Sequence, residues 1–247
     1  MQLGRVREMG RIDRMQTETG GGHLVSKPRL LDLFSCAGGA GVGYARAGFD
    51  VVGVDIEPQP NYPYEHHVGD ALDFLAENAH EFDAIHASPP CQGYTTMSSK
   101  YPTAQAEWPK LIEPTRAALI ATGKPWVIEN VAGAAKVMCS PVKLSGGMFN
   151  LGVERPRLFE SNIALTAPSY RRADPVVGVY GRNHDGRRLW TRSDGSELRA
   201  AKTLVEGQLA MGISWMTWPE LTEAIPPAMT HHIGLQLIAW LGKEMTI

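Results

Sequence analysis

Short apolar runs separated by glycine-rich and polar turns recur along the first two-thirds of this 247-residue chain. The clearest runs cover residues 29–34, 50–54, 84–87 and 126–131, and each has the length of one buried strand. A helix is predicted to begin at residue 42, and a second, apolar helix to cover residues 233–241. Strands that alternate with helices predict an α/β protein with a three-layer sheet of about six or seven strands.

A glycine-rich segment, DLFSCAGGAGVG at residues 32–43, joins the first predicted strand to the first helix. Glycines allow a tight turn there and a close approach of the backbone to a ligand at the helix amino terminus. The second strand ends in Asp55, and an acidic residue about 20 positions beyond such glycines commonly binds ribose hydroxyls. Asp70 follows a third short strand in the same way. Together these segments predict a nucleotide-type ligand, although a glycine-rich turn alone is often only a turn.

A second segment, SPPCQG at residues 88–93, follows the apolar run 84–87. The two prolines cannot continue the strand, so they turn the chain and hold Cys91 at its carboxyl end. Open parallel sheets place their chemistry at that edge. Cys91 is therefore a candidate nucleophile, because a thiolate attacks electron-poor carbon well. The alternative is a small buried cysteine in a proline turn.

Two further segments carry charge in places where charge is unusual. Glu129 lies within the apolar run 126–131, so it needs a partner or a raised pKa. Such a carboxyl can hydrogen-bond the ring nitrogen and amino group of a nucleobase; a salt-bridged glutamate is the alternative. Arg155 and Arg157 flank a proline, and on an extended chain both would project to one side. Arginine pairs can bind phosphate or a carbonyl oxygen, but many such pairs only lie on a solvent-exposed face.

The order and spacing of the motifs DLFSCAGGAGVG, SPPCQG, IENV and RPR resemble those of the carbon-5 cytosine DNA methyltransferase family. The resemblance covers roughly residues 29–160, with a weaker piece near the carboxyl end. It implies a Rossmann-like S-adenosylmethionine-dependent methyltransferase fold with a small basic β-hairpin region. It also implies transfer of a methyl group to carbon 5 of a cytosine flipped out of double-stranded DNA, in the setting of DNA methylation and restriction-modification.

The resemblance also assigns roles to particular residues. Cys91 would attack carbon 6 of the base, Glu129 would engage the ring nitrogen and amino group, and Arg157 would hold the base oxygen, with Arg155 beside it. S-adenosylmethionine would be the methyl donor. The residues implied in donor binding are Phe34, Ser35, Gly38, Gly39, Gly43, Asp55, Ile56, Asp70, Ala71 and Pro90.

Three positions depart from the family pattern. Cys36 stands where the glycine-rich loop usually has glycine, and we expect its small side chain to be tolerated. Val153 replaces a glutamine that usually opens the arginine motif, so a supporting hydrogen bond is expected to be missing. The family's late Gly-Asn-Ser-Val segment is absent. Residues 224–230 take its place, and this leaves the donor contacts there open.

The charge is unevenly distributed along the chain. The formal net charge is −2, but residues 155–202 hold ten Lys/Arg against five Asp/Glu. That segment therefore carries +5 and the remainder −7, and a local basic face is the usual footprint of phosphate binding. Asp185-Gly186 and Asp194-Gly195 are interpreted as hairpin turns. So small a target-recognition region predicts a short site of about two to four base pairs.

Composition narrows the class of protein further. No apolar run is long enough to span a membrane, no secretory pattern opens the chain, and three cysteines argue against a disulfide framework. No Cys/His spacing suggests a metal site. We therefore expect a soluble, intracellular protein without metal. The resemblance, which is to a small, phage-like member of the family, implies a monomer in the cytoplasm of a bacterium or a phage-infected host cell. The predicted regions are a disordered leader (1–28), a catalytic and cofactor-binding domain (29–160), a target-recognition region (161–205) and carboxyl-terminal helices completing the domain (206–247).

Some alternatives remain open from the sequence. The Arg-rich residues 1–28 could instead be a basic arm on DNA. An RNA cytosine-5 methyltransferase would have the same catalytic residues, and a compact recognition region is compatible with it. A non-catalytic DNA-binding protein could retain the fold, although the presence of Cys91, Glu129 and Arg157 together argues against this.

Overall fold

A twisted central sheet organises the protein in the computed structural model, which describes residues 26–94, 108–171, 176–182, 184–191 and 197–244. Within these residues the sheet has seven strands in the order β3-β2-β1-β4-β5-β7-β6. The strands are β1 (Arg29–Leu33), β2 (Asp50–Asp55), β3 (Glu65–Val68), β4 (Ala84–Ala87), β5 (Trp126–Val131), β6 (Val142–Leu144) and β7 (Arg157–Ser161). The first five strands are parallel, and β7 runs antiparallel to both of its neighbours.

The helices are α1 (Gly39–Ala47), α2 (Ala71–Asn78), α3 (Ile112–Ala121), α4 (Leu204–Met211), α5 (Trp218–Glu223) and α6 (Pro227–Glu244). One face of the central sheet is covered by α2 and α3 and the other by α1 and α6, whereas α4 and α5 pack in a third core near residues 177–179. Alternate strand residues enter separate cores, because successive side chains of a strand point to opposite faces. Leu31 packs into a core shared with α2 and α3, whereas Leu30 packs into one shared with α1 and α6. The predicted α/β fold of three layers is confirmed, and none of these helices is long and apolar enough to cross a membrane.

Helix α6 begins at Pro227, six residues before the apolar run 233–241 and one residue after Pro226, from which a carboxyl-terminal helix is expected, and it lies along α1. Proline is accommodated in a first helical turn because that turn has no intrahelical use for its N–H. The two helices approach closely at Gly43, where a β-carbon would collide with Thr230 Oγ1 and with the carbonyl oxygen of Pro227. The Thr230 hydroxyl donates to the carbonyl of Ala40 at 2.9 Å and so ties α6 to the first turn of α1.

The basic region contains a small second sheet of strands β8 (Val177–Gly178), β9 (Arg188–Thr191) and β10 (Glu197–Ala200). Strand β10 lies in the middle, antiparallel to β9 and parallel to β8. Strands β9 and β10 therefore form the expected hairpin, whose predicted Asp194-Gly195 turn lies outside the described residues. The prediction of a hairpin turn at Asp185-Gly186 is wrong, because the strands on either side of it do not pair. Asp185 instead closes a local turn, in which its Oδ1 accepts the Arg187 N–H at 3.1 Å.

We expect Gly43→Ala to lower the free energy of unfolding by about 1–3 kcal/mol, because the added methyl group overpacks the contact between α1 and α6. Gly242→Ala is the matched control, since Gly242 also lies in a helix but a β-carbon there would meet nothing within 4 Å. The control should be neutral or stabilising by up to about 1 kcal/mol. Urea denaturation measures both variants, and equal stabilities would contradict the close helix contact.

Candidate active site

A cavity of about 730 Å³ opens where the parallel strands end. The strand register aligns Leu33 with Ala87 across β1 and β4, and Ala87 with Ile128 across β4 and β5. The residues that follow each strand therefore emerge side by side at one edge of the sheet. Eleven of the fourteen residues predicted for the site line this cavity: Phe34, Ser35, Gly39, Asp55, Ile56, Asp70, Ala71, Pro90, Cys91, Glu129 and Arg157. Arg155, Gly38 and Gly43 do not line it.

The loop that carries Cys91 is fastened to the strands on both sides of it. The side-chain amide of Asn130 donates to the carbonyl of Pro89 at 2.8 Å, in a buried hydrogen bond between β5 and the proline turn. The Ser88 N–H donates to the carbonyl of Leu33 at 3.1 Å, and the Cys91 carbonyl accepts the Tyr94 N–H at 2.9 Å. These bonds hold the proline turn at a fixed position against the ends of β1 and β5.

Glu129 and Arg157 form an ion pair in the floor of the cavity. In the antiparallel register of β5 and β7, Arg157 is opposite Val131, and its side chain reaches diagonally to Glu129 on the same face. Arg157 Nε lies 2.9 Å from Glu129 Oε1, with both side chains largely buried. No described group gives that buried oxygen a well-aligned hydrogen bond, so it keeps unused capacity as an acceptor.

Burial shifts Glu129 and Cys91 toward their protonated forms. Burial raises the pKa of Glu129, and the charge of Arg157 opposes this shift. Burial also raises the pKa of Cys91, as does the negative charge of Glu129, while Arg157 lowers it. Without a ligand, Cys91 is therefore a thiol at neutral pH. A nucleophilic role then requires that the thiol loses its proton before or while the sulfur attacks.

The two arginines of the RPR motif do not point into one space, so the expectation that both project to the same side is wrong. Arg155 has a left-handed backbone with φ of 37°, which breaks the alternation of an extended chain. Its guanidinium is buried and donates to three carbonyl oxygens, those of Ala224 at 2.7 Å, Val179 at 3.1 Å and Thr222 at 2.6 Å. Arg155 thus holds the carboxyl-terminal wall of the cavity and contacts no open space within it.

The glycines of the loop have partly different roles from those expected. Gly38 supplies the turn, because its φ of 83° is left-handed. The close approaches made possible by Gly39 and Gly43, however, are to the protein itself. A β-carbon on Gly39 would lie 2.5 Å from the carbonyl oxygen of Ile225, and Gly43 packs against α6. These glycines let the carboxyl-terminal segment close the cavity.

Sequence reasoning missed several lining residues. Asp32 is fully buried, and burial raises its pKa to about 8, although the Tyr62 hydroxyl donates to it at 3.1 Å. It belongs to the quoted DLF motif, and its position at the end of a buried strand was an available signal. Glu220 and Glu223 come from helix α5, where polar residues are ordinary and give no signal. Ala224 and Ile225 belong to the segment whose donor contacts were left open.

No family model matches this chain. It is 33% identical over 119 residues to the type II methyltransferase M1.HphI of Haemophilus parahaemolyticus, a match that covers 41% of this chain and 32% of that protein. The chain thus spans about a third of the length of the curated relative that it matches.

Solved structures agree with the chain over most of its length. One is a protein assigned as a DNA modification methyltransferase and encoded within an E. coli prophage (TM-score 0.57, 16% identity). Two others are the Dnmt2 methyltransferase of S. pombe (0.54, 15%) and the methyltransferase EhMeth of Entamoeba histolytica (0.55, 14%). Each match covers 87% of this chain and 99% of the other. At these identities the likeness defines the fold, which is the Rossmann-like fold of these methyltransferases.

We expect Arg155→Met to lower the free energy of unfolding by about 3 kcal/mol or more, since two buried carbonyl oxygens and one part-buried one lose their donor, and each buried loss costs about 1–3 kcal/mol. Arg46→Met is the matched control on an exposed helix face and should change stability by less than about 0.5 kcal/mol. Guanidinium denaturation measures both. If the Arg155→Met variant were as stable as the wild type but inactive, Arg155 would instead have a direct role in the reaction.

Proposed function

We propose that this chain is an S-adenosylmethionine-dependent methyltransferase that acts on carbon 5 of cytosine in DNA. The observation that carries this proposal is the grouping of the Cys91 thiol, the Glu129 carboxyl and the Arg157 guanidinium in one cavity. That cavity also holds the residues expected to bind a nucleotide-type donor. The match to a type II methyltransferase and the fold shared with a DNA modification methyltransferase support the same assignment.

The three groups suit the chemistry of a pyrimidine ring. Carbon 5 of cytosine is a poor nucleophile, and addition of the Cys91 sulfur to carbon 6 makes it reactive by pushing electrons into the ring. Glu129, whose pKa is raised by burial, can give or share a proton at the ring nitrogen, and Arg157 can stabilise charge on the ring oxygen. After methylation a base takes the proton from carbon 5, the bond from sulfur to carbon 6 breaks, and Cys91 is restored.

The cavity fits S-adenosylmethionine, which supplies an electrophilic methyl group when bound. Phe34, Ile56 and Pro90 offer apolar contacts for the adenine, and Ile56 is 66% exposed although it is a large apolar residue. The Asp55 carboxylate is oriented toward the loop by the N–H groups of Cys36 at 2.9 Å and Glu57 at 3.1 Å, which suits it to ribose hydroxyls.

Unpaired polar atoms in the cavity support a polar ligand there. Among the described residues, nothing hydrogen-bonds Ser35 Oγ or Asp32 Oδ1, and both side chains are buried in the cavity wall. Buried polar atoms usually have a partner, so a bound ligand or ordered water is expected to supply it.

The reacting base must enter this cavity alone, because Cys91 lines a cavity of about 730 Å³, which is too small to admit a duplex. The base would therefore be flipped out of the helix. Phosphate contacts would come from the basic region, where Arg171, Arg182 and Arg187 are exposed. Two more arginines of this region are expected to contact phosphate, but Arg172 lies outside the described residues and the side chain of Arg188 is not described.

We expect Cys91→Ser to reduce methyl transfer on the order of a thousandfold or more while donor binding is retained, because a serine hydroxyl is hard to ionise and adds poorly to the ring. Cys139→Ser is the matched control, since Cys139 is an exposed free cysteine outside the cavity. Transfer of a labelled methyl group to duplex DNA, with RNA assayed in parallel, measures the effect. Preference for RNA would select the RNA methyltransferase instead.

A covalent trap tests the mechanism itself. With duplex DNA containing 5-fluorocytosine, the fluorine replaces the proton that must leave carbon 5, so the adduct to Cys91 should persist as a covalent band on a denaturing gel. The band should form with the Cys139→Ser variant and be absent with Cys91→Ser. A band of full intensity with Cys91→Ser would refute the nucleophile, and no band with either would favour a non-catalytic binding protein.

The exposed arginines predict a salt effect on DNA binding. Replacing Arg171, Arg182 and Arg187 with alanine should weaken binding at low salt and flatten the slope of log affinity against log salt by about 0.9 per lost phosphate contact. Donor affinity should not change, because these residues do not line the cavity. Fluorescence anisotropy with a short duplex over a salt series measures the slope. An unchanged slope would remove these arginines from the DNA interface.

A further inference from the structure

A row of buried polar side chains runs beneath the cavity and ends at Glu129. The Tyr44 hydroxyl lies 2.9 Å from His86 Nδ1, and His86 Nε2 lies 2.8 Å from Ser88 Oγ. Ser88 and Glu129 directly follow the paired residues Ala87 and Ile128 of β4 and β5, so they are neighbours, and the Ser88 hydroxyl opposes the effect of burial by lowering the pKa of Glu129. Tyr44 and His86 are both fully buried and do not line the cavity, whereas Ser88 and Glu129 do.

The sequence places these residues in one line. His86 belongs to strand β4 and Ser88 follows it two positions later, so both side chains leave the same face of the chain. Tyr44 reaches them from α1, which packs on that face, and its ring lies 5.1 Å from the His86 ring between centroids. Strand β4 is fully buried, and an apolar residue would be expected at position 86. The presence of a histidine there therefore needs an explanation.

Proton counting gives this row a single direction. Burial lowers the pKa of His86 to about 3, so the ring is neutral and carries one N–H. The Tyr44 hydroxyl is fully buried, and among the described residues its hydrogen-bond partner is His86 Nδ1, so it must donate its proton there. His86 Nδ1 is then an acceptor, the ring N–H lies on Nε2, and this N–H donates to Ser88 Oγ. The Ser88 proton is thereby left free to turn toward Glu129.

The opposite arrangement leaves groups unsatisfied. With the ring proton on Nδ1, the Ser88 hydroxyl would donate to Nε2 and could no longer donate to Glu129. The Tyr44 proton would also lose its acceptor, although the side chain is fully buried. Unsatisfied buried donors are costly, so the first arrangement is favoured.

We propose that His86 and Tyr44 are positioning residues that keep the Ser88 hydroxyl turned toward Glu129 and thereby set the proton affinity of that carboxyl. As far as it concerns catalysis, this proposal rests on the proposed function, in which Glu129 engages the ring of the base. The other groups that act on Glu129 are the guanidinium groups of Arg157 and Arg155, and its charge in turn raises the pKa of Cys91.

The first test needs neither donor nor DNA. In the full chain labelled with ¹⁵N-histidine, long-range proton–nitrogen spectra distinguish a protonated ring nitrogen from a bare one. The His86 signals are identified by their loss in His86→Gln. We expect a proton on Nε2, none on Nδ1, and no second protonation down to pH 5. A proton on Nδ1, or titration near the ordinary pKa of histidine, would overturn the proposal.

The second test uses the pH profile of methyl transfer. The limb that reports Glu129 is the one lost in Glu129→Gln. In Ser88→Ala this limb should move to higher pH by about one unit, because the carboxylate loses a donor that stabilises its charge. His86→Leu should shift it the same way, and His86→Gln should return it toward the wild-type position, since its amide can donate to Ser88. A wild-type limb in His86→Leu would refute the role of His86.

Further outcomes separate the two proposals. Where His86→Leu does not fold, Tyr44→Phe serves instead, because loss of its hydroxyl weakens the preference for a proton on Nε2, and it should shift the limb in the same direction. Finding the proton on Nε2 in a protein that transfers no methyl group would refute the proposed function alone. Methyl transfer by a protein with the proton on Nδ1 would refute the His86 proposal alone.

Discussion

Burial of the Glu129 carboxyl is the constraint on which the rest of the site depends. A carboxylate removed from water is costly unless charge and hydrogen bonds compensate it, and a neutral one is held only at a raised pKa. Here the compensation comes from different directions: Arg157 on the neighbouring strand and Ser88 on the proline turn. The same burial keeps Cys91 protonated, because a thiolate beside Glu129 would place two negative charges in one desolvated space. The thiol and the carboxyl are therefore coupled, and a ligand that changes one changes the other.

The two arginines of the RPR motif have different roles. Arg157 remains in the cavity as the counter-ion of Glu129, whereas Arg155 turns away and binds three backbone carbonyls. Two of those carbonyls belong to residues 222–224, next to the part of the wall formed by Ile225. Burial lowers the pKa of Arg155 to about 9, which still leaves it charged at neutral pH. A charged donor with three acceptors thus fixes a wall built from chain about 70 residues distant.

The sequence predicted what depends on local patterns. The runs 84–87 and 126–131 coincide with β4 and β5, because a continuous apolar run bounded by turn residues has few alternatives to a buried strand. The position of Cys91 followed from proline chemistry in the same way. What could not be predicted depends on tertiary contacts. The left-handed backbone at Arg155 becomes favourable only because its side chain then reaches three carbonyl oxygens that are distant in sequence. The direction of the row through His86 depends on a tyrosine from another element.

A tertiary contact also explains why the glycine-rich loop tolerates Cys36 at a position where the family that it resembles usually has glycine. Cys36 has a φ of 43°, a left-handed backbone that costs a residue with a β-carbon about 1–2 kcal/mol and that glycine adopts freely. The position therefore favours glycine for its conformation, and small size alone does not explain the tolerance of cysteine. The Cys36 N–H donates to Asp55 Oδ2 at 2.9 Å, and a hydrogen bond to a carboxylate is strong enough to offset that strain. Because Asp55 is itself expected to bind the ribose, the bond that holds the strained loop also orients a ligand group. In the proposed function, the same carboxylate would therefore maintain both the loop conformation and the donor site.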